Sequence, residues 1–183
     1  MDPVGGTPTA NPSAVAGAAR SSPPPRYNVD PNYATTVMVK SLPNLLNSEE
    51  FIWFLQDLGY EWGRHVDFVY LPIDVRTGAN LGYAFVNFCE ASHQQAFRRL
   101  LEERIPECQY RVVRQLSKDL NSRPGRKEMS MAFAKIQGAF PNAARFLKRV
   151  SPKKSAPAGL VTPLVPGPNG EVLELSLATM PWD

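Results

Sequence analysis

Residues 81–88 read Leu-Gly-Tyr-Ala-Phe-Val-Asn-Phe (LGYAFVNF), too aromatic and β-branched for a loop and too short for a helix of its own. Neighbouring side chains of a strand point to opposite faces. Gly82, Ala84, Val86 and Phe88 therefore share one side, and Leu81, Tyr83, Phe85 and Asn87 the other. If the first set packs on helices, Tyr83 and Phe85 are left standing on an open sheet face, where exposed paired rings invite a ligand.

Working outward, Asp74 to Asn80 (DVRTGAN) is turn chemistry, and Asp67 to Pro72 (DFVYLP) before it reads as a strand with Pro72 at its end. Thr35 to Lys40 (TTVMVK) alternates as a first strand that Pro43 closes. Asn47 with Glu50 three residues on has the spacing of a capping box, and Leu46 with Phe51 that of a hydrophobic staple, so a helix is predicted over 48–58 with Phe51, Leu55 and Leu58 inward. Downstream, Ala91 to Arg104 is a second helix with His93, Ala96, Phe97, Leu100 and Leu101 on one face, followed by a basic, partly extended segment. Met129 to Ala134 (MSMAFA) alternates as a fourth strand. After Gly138 a third helix is predicted from Pro141, its apolar positions Ala143, Phe146, Leu147 and Val150 at helical spacing. The order predicts an α+β, ferredoxin-like β-α-β-β-α-β sandwich with a four-stranded antiparallel sheet, two packing helices and an extra C-terminal helix. The first strand then lies beside the third, with Met38 and Lys40 outward next to the rings.

Composition sets the boundaries. Seven of the 18 prolines precede residue 35 and six follow residue 150, so the fold is placed at 35–150, between a disordered Pro/Ala/Gly/Ser-rich tail at 1–34 and a Pro-rich tail at 151–183. Within the latter, Leu173, Leu175 and Leu177 alternate after an Asn169-Gly170 turn signal, which fits a short strand, a docking motif or a disordered tail. Residues 35–150 hold 16 Lys or Arg against 12 Asp or Glu, with Arg111, Arg114, Lys118, Arg123, Arg126 and Lys127 clustered around Asp119 alone. Cys89 and Cys108 have no metal-ligand or redox spacing. The first 26 residues lack a signal-peptide core, and the longest strongly apolar run is the five residues Phe51 to Leu55, so neither secretion nor membrane insertion is expected. An intracellular protein of nucleus or cytoplasm is expected. The two histidines belong to no nucleophile or metal motif, and neither a phosphate-cradling glycine loop nor a carboxylate pair occurs, so no enzyme, cofactor or metal is expected.

The octamer LGYAFVNF resembles the RNP octamer of RNA recognition motifs, and Val37 to Leu42 (VMVKSL) is similar to their second RNP element. TTVMVKSLPN, DFVYLPIDV, LGYAFVNF and FAKIQG together resemble the C-terminal RNA recognition motif of the Mei-two-like meiosis regulators over roughly residues 34 to 150. The resemblance implies a ligand on the sheet and carries Tyr83 and Phe85 over as stacking residues. Leu81 stands where the octamer usually has Lys or Arg, and Met38 where the hexamer usually has an aromatic ring, so affinity is expected to be modest.

The expected function is binding of single-stranded RNA by stacking on Tyr83 and Phe85. Met38 and Lys40 flank them, base-edge contacts come from Asn87, Lys135 and Gln137, and phosphate contacts from Arg123, Arg126 and Lys127. The alternative is a protein-interaction module whose sheet is covered by a helix or a partner. The chain is expected to be monomeric, with protein partners through its C-terminal tail. Arg145 to Lys154 (RFLKRVSPKK) also suits a nuclear import signal or a phosphate clamp, and Ser151-Pro152 a phosphorylation site. The third helix arbitrates: Phe146 and Leu147 over Tyr83 and Phe85 would close the face, and packing at the side would leave it open.

Overall fold

The computed structural model describes residues 29–74, 76–116, 128–149 and 162–176. Its elements are β1 (Thr36–Lys40), α1 (Ser48–Asp57), β2 (Val66–Tyr70), β3 (Tyr83–Phe88), α2 (Ala91–Leu116), β4 (Ser130–Phe133), α3 (Ala139–Arg149), β5 (Leu164–Pro166) and β6 (Val172–Glu174). They form one antiparallel sheet in the order β4-β1-β3-β2-β5-β6, so the α+β class stands while the sheet is wider than the four strands expected.

The α1 start follows the sequence closely. Asn47 Oδ1 accepts from the Glu50 amide and Glu50 Oε2 accepts from the Asn47 amide, each at 2.9 Å, which closes the capping box, while Leu46 and Phe51 are both buried. On the inner face of the sheet Val37, Val39, Val69, Ala84, Val86 and Phe88 pack with Phe51, Phe54 and Leu55 of α1 and Phe97 and Leu101 of α2. Each large side chain withdrawn from water here contributes about 1.5–3 kcal/mol. In α2 Ala96 is exposed and Gln94 takes the buried place one turn before Phe97, so that part of the predicted stripe is corrected. The helix breaks at Arg104 (φ −130°, ψ 29°) and resumes to Leu116, where extended chain was expected. The break falls two residues before a proline in the sequence, a residue that has no amide hydrogen for a helix interior but is tolerated in a first turn.

A β-bulge at Asp67 decides how β2 presents its side chains. Val66 pairs with Phe88 and Phe68 with Asn87, so Asp67 is an extra residue, and the faces swap beyond it. Val66 and Val69 enter the inner core, while Phe68 and Tyr70 join the outer face.

The segment 162–176, placed in the Pro-rich tail, takes the strand among the alternatives left open there. It forms the β5–β6 hairpin, with Leu164 opposite Val69 and the Asn169-Gly170 turn at its tip. Leu164 enters the inner core, and Val165 and Leu175 are buried in the outer one. The Trp62 indole N–H donates to the Glu171 carbonyl at 3.4 Å, and the Leu175 amide to the Pro163 carbonyl at 2.8 Å. The alternation of Leu173 and Leu175 announced β6, whereas β5 has three residues and is flanked and ended by Pro163 and Pro166, which read as breakers. Residues 1–28, 150–161 and 177–183, with the Ser151-Pro152 phosphorylation reading and the second half of the Arg145 to Lys154 tract, lie outside the described residues.

If the hairpin belongs to the cooperative unit, Leu175→Ala removes a buried side chain and lowers unfolding free energy by ~2–5 kcal/mol in denaturant titration. A change within about 0.5 kcal/mol, the value for a surface tail, would refute that membership.

Candidate nucleic-acid interface

The outer face of the sheet is built in cross-strand rows. Met38 of β1 lies opposite Phe85 of β3 and Ala132 of β4, and Phe85 lies opposite Tyr70 of β2. The next row holds Ser130, Lys40 and Tyr83. On the other side of the Phe85 row, Thr36, Asn87 and Phe68 fill a third. Gly82, at φ +77°, turns the chain into β3, so Leu81 precedes the strand and is exposed.

The α3 helix lies on this face, but only on part of it. Its Ala139, Ala143 and Phe146 are buried in a cluster with Phe68, Val165 and Leu175, against which Tyr70, Phe85, Leu147 and Leu173 also pack. The Phe146 ring meets Tyr70 edge-on at 5.3 Å, and Tyr70 runs nearly parallel to Phe85, 6.4 Å away and 10° apart. Tyr83 is not part of the cluster. It stands at 85° to Phe85, 5.8 Å between centroids. Covered and open, the two outcomes posed by the sequence, thus divide the face between them.

Beside α3 a groove of about 450 Å3 opens. Tyr70, Tyr83 and Phe85 lie along it, Asn142, Arg145 and Phe146 border it from α3, and Ala134, Lys135 and Ile136 border it from the segment after β4. Leu81, Ile73, Pro72 and Phe68 complete the described lining. Among the described residues two cations and no carboxylate line this groove, which favours an anion.

A buried polar network sets the position of α3. The Thr36 hydroxyl donates to Asn87 Oδ1 at 2.6 Å and accepts from the Gly138 amide at 2.9 Å. Asn87 Nδ2 donates onward to Asp67 Oδ1 at 2.7 Å. Gln137 Oε1 accepts from the amides of Thr35 and Thr36 at 2.8 Å, and its Nε2 donates to the carbonyls of Thr36 and Ala134. Gly138 holds φ +88°, and a β-carbon there would press on Pro141 at 3.2 Å, so only glycine starts α3 at this angle.

Among the residues singled out by sequence, Tyr83, Phe85, Met38 and Lys40 converge on the open part of the sheet, each half-buried, and Lys135 borders the groove. Asn87 and Gln137 are corrected. Asn87 is 3 % exposed with its amide spent on Thr36 and Asp67, and both ends of Gln137 are spent on backbone, so neither amide is available for a base edge. Arg123, Arg126 and Lys127 lie outside the described residues.

A sequence profile of RNA recognition motif 2 matches residues 34–147. The chain belongs to this RNA recognition motif family. Among curated proteins it is similar to Protein MEI2-like 3 of Oryza sativa subsp. japonica, 31% identical over 112 residues, and to Protein MEI2-like 4 of Arabidopsis thaliana, also 31% over 112 residues. In each case the match covers 61% of this chain and 10% of the relative, so the chain spans about a tenth of the curated relatives it matches. The Mei-two-like resemblance read from the sequence is thereby borne out. Among solved structures, the second RRM domain of the yeast poly(U)-binding protein Pub1 is 18% identical, with a TM-score of 0.36, covering 57% of this chain and 98% of that one.

Within this RNA recognition motif, sequence reasoning missed Tyr70 and Asn142 at the groove and treated Arg145 only as part of a basic tract. Tyr70 was hidden by the bulge, and Asn142 by the absence of any local signal for what its helix faces.

Burial holds the Asp67 carboxyl above the ordinary carboxylate range, against the lowering effect of the Asn87 hydrogen bond. A raised acid binds its proton more tightly folded than unfolded, so the folded state loses stability as pH climbs from the unfolded value through the folded one. Asp67→Asn keeps the Oδ1 acceptor for Asn87 and removes the ionisation. Its stability, followed by denaturant titration across pH 4 to 8, should decline less with rising pH than that of the parent.

Proposed function

We propose that this domain binds single-stranded RNA on the half of the outer sheet face that α3 leaves open, without chemistry on the RNA. The observation that carries the reading is the groove itself: aromatic rings in its floor, Lys135 and Arg145 at its rim and no carboxylate among the described residues that line it. Rings bind bases whatever their identity, and cations bind the backbone. Membership of an RNA recognition motif family supports the same reading.

Geometry refines the stacking expected from sequence. Because Tyr83 and Phe85 stand at 85°, a base lying flat on one meets the other edge-on. The pair is a corner for one base rather than two platforms in series. Phe85 also continues into the nearly parallel Tyr70, which widens one wall of that corner. The occupant required by the protein-interaction alternative is supplied by the chain itself, since α3 and the β6 end cover Phe68 and much of Tyr70.

Each stacked ring contributes roughly 1–3 kcal/mol, so Tyr83→Ala and Phe85→Ala should each weaken binding of a single-stranded RNA pool by about 5- to 150-fold. Tyr83 lies outside both apolar clusters, so its variant should keep the parent's unfolding midpoint, and unchanged affinity in that folded variant would sink the reading. Backbone contacts from Lys40, Lys135 and Arg145 predict a slope of about −2 for the logarithm of the association constant against that of salt concentration. A slope near zero in fluorescence anisotropy titrations would remove phosphate contact from the account.

A further inference from the structure

Asn142 and Arg145 lie one turn apart on α3 and both border the groove. The Asn142 amide nitrogen is committed, donating to the carbonyls of Gly138 at 2.7 Å and Ile136 at 3.2 Å and approaching the Thr36 hydroxyl at 3.4 Å. Two carbonyls fix which end of the amide is which, because an oxygen in that place would face two oxygens. Oδ1 is left as an acceptor with no hydrogen bond among the described residues. Arg145 is exposed, makes no ion pair among the described residues, and adds a fork of donors one turn along.

Stacking on a ring leaves the hydrogen-bonding edge of a base unread. An acceptor beside a donor fork can meet that edge. Every RNA base carries an N–H next to an acceptor on its Watson–Crick edge, and that edge is free only in an unpaired base. We propose that the groove seats one unpaired base in the corner of Tyr83 and Phe85, and that α3 reads its Watson–Crick edge, Asn142 Oδ1 accepting from the base N–H and Arg145 donating to the neighbouring acceptor. This rests on the RNA-binding reading above and deepens it: α3 then acts as the reader of the site as well as its wall, and a double helix is excluded because its edges are already paired.

The amide nitrogen of Asn142 holds the start of α3, so replacing the residue confounds recognition with folding, and the decisive changes belong on the RNA. The full chain is used to draw a binding octamer from a random RNA pool. That octamer is resynthesised with one base at a time changed to an analogue whose Watson–Crick donor is blocked or missing: N3-methyluridine, N1-methylguanosine, purine riboside for adenosine or zebularine for cytidine. One position should lose about tenfold or more in affinity, the consequence of an acceptor left unpaired in the groove. Arg145→Ala, a change at an exposed side chain, should weaken the unmodified octamer and shrink that positional loss to less than about threefold, since the base is no longer held against Asn142. If every position tolerates its analogue while the octamer still binds, edge reading is overturned and stacking on the sheet stands. A positional loss unchanged in Arg145→Ala overturns the role of α3. A pool that yields no bound RNA overturns the RNA-binding reading, and this one with it.

Discussion

The hydroxyl of Thr36 sits where three segments of the chain meet, giving its proton to Asn87 on β3 and taking the Gly138 amide that precedes α3. Asn87 extends the line to the bulge at Asp67, and Asn142 and Gln137 tie the helix and its leading turn to the same strand. A single bond of this kind adds only about 0.5–1.5 kcal/mol net, but a buried member left without its partner costs about 1–3 kcal/mol. The network therefore acts mainly through location. It holds the first turn of α3 over the Thr36 row of the sheet, and the helix then packs against Phe68 and Tyr70 in a cluster that does not include Tyr83.

From that placement the two halves of the outer face acquire different chemistry. One half is a second apolar core, in which α3 meets the rings of β2 and the underside of the β5–β6 hairpin. The other keeps half-exposed rings next to lysine and arginine. Aromatic side chains serve both halves, and Phe85 belongs to both: it packs against the buried cluster and lines the groove. A base seated there would rest on a ring already braced from behind, so little side-chain freedom is lost on binding.

The hairpin answers a separate need. Without it β2 would be a sheet edge, with a row of unpaired backbone groups beside a fully buried phenylalanine. Pairing through Val69 and Leu164 caps that edge, and Val165 and Leu175 close the cluster under α3. The edge that remains on the other side is β4, four residues long and beginning with the exposed Ser130. Among the described residues no helix is long and apolar enough to cross a membrane.

Much of this could be read from the chain unaided, and for one reason: it was local. The alternation of Tyr83 to Phe88, the capping box at Asn47 and Glu50 and the spacing of Ala143 and Phe146 are each written within a few residues, because periodicity and capping act over one or two turns. They determined the order of elements from β1 to α3, much of the inner core and the placing of Tyr83 and Phe85 on the outer face. Other features depend on what meets what across the fold. The bulge at Asp67 is defined only by the strand opposite, and Asn87 and Gln137, which look like free polar residues in sequence, are consumed by Thr36 and its neighbours. Short strands in a proline-rich stretch become a hairpin only because β2 offers an edge. How far α3 covers the sheet was likewise decided by tertiary contacts, since a helix with one apolar face will bury it wherever packing and hydrogen bonds together are best satisfied.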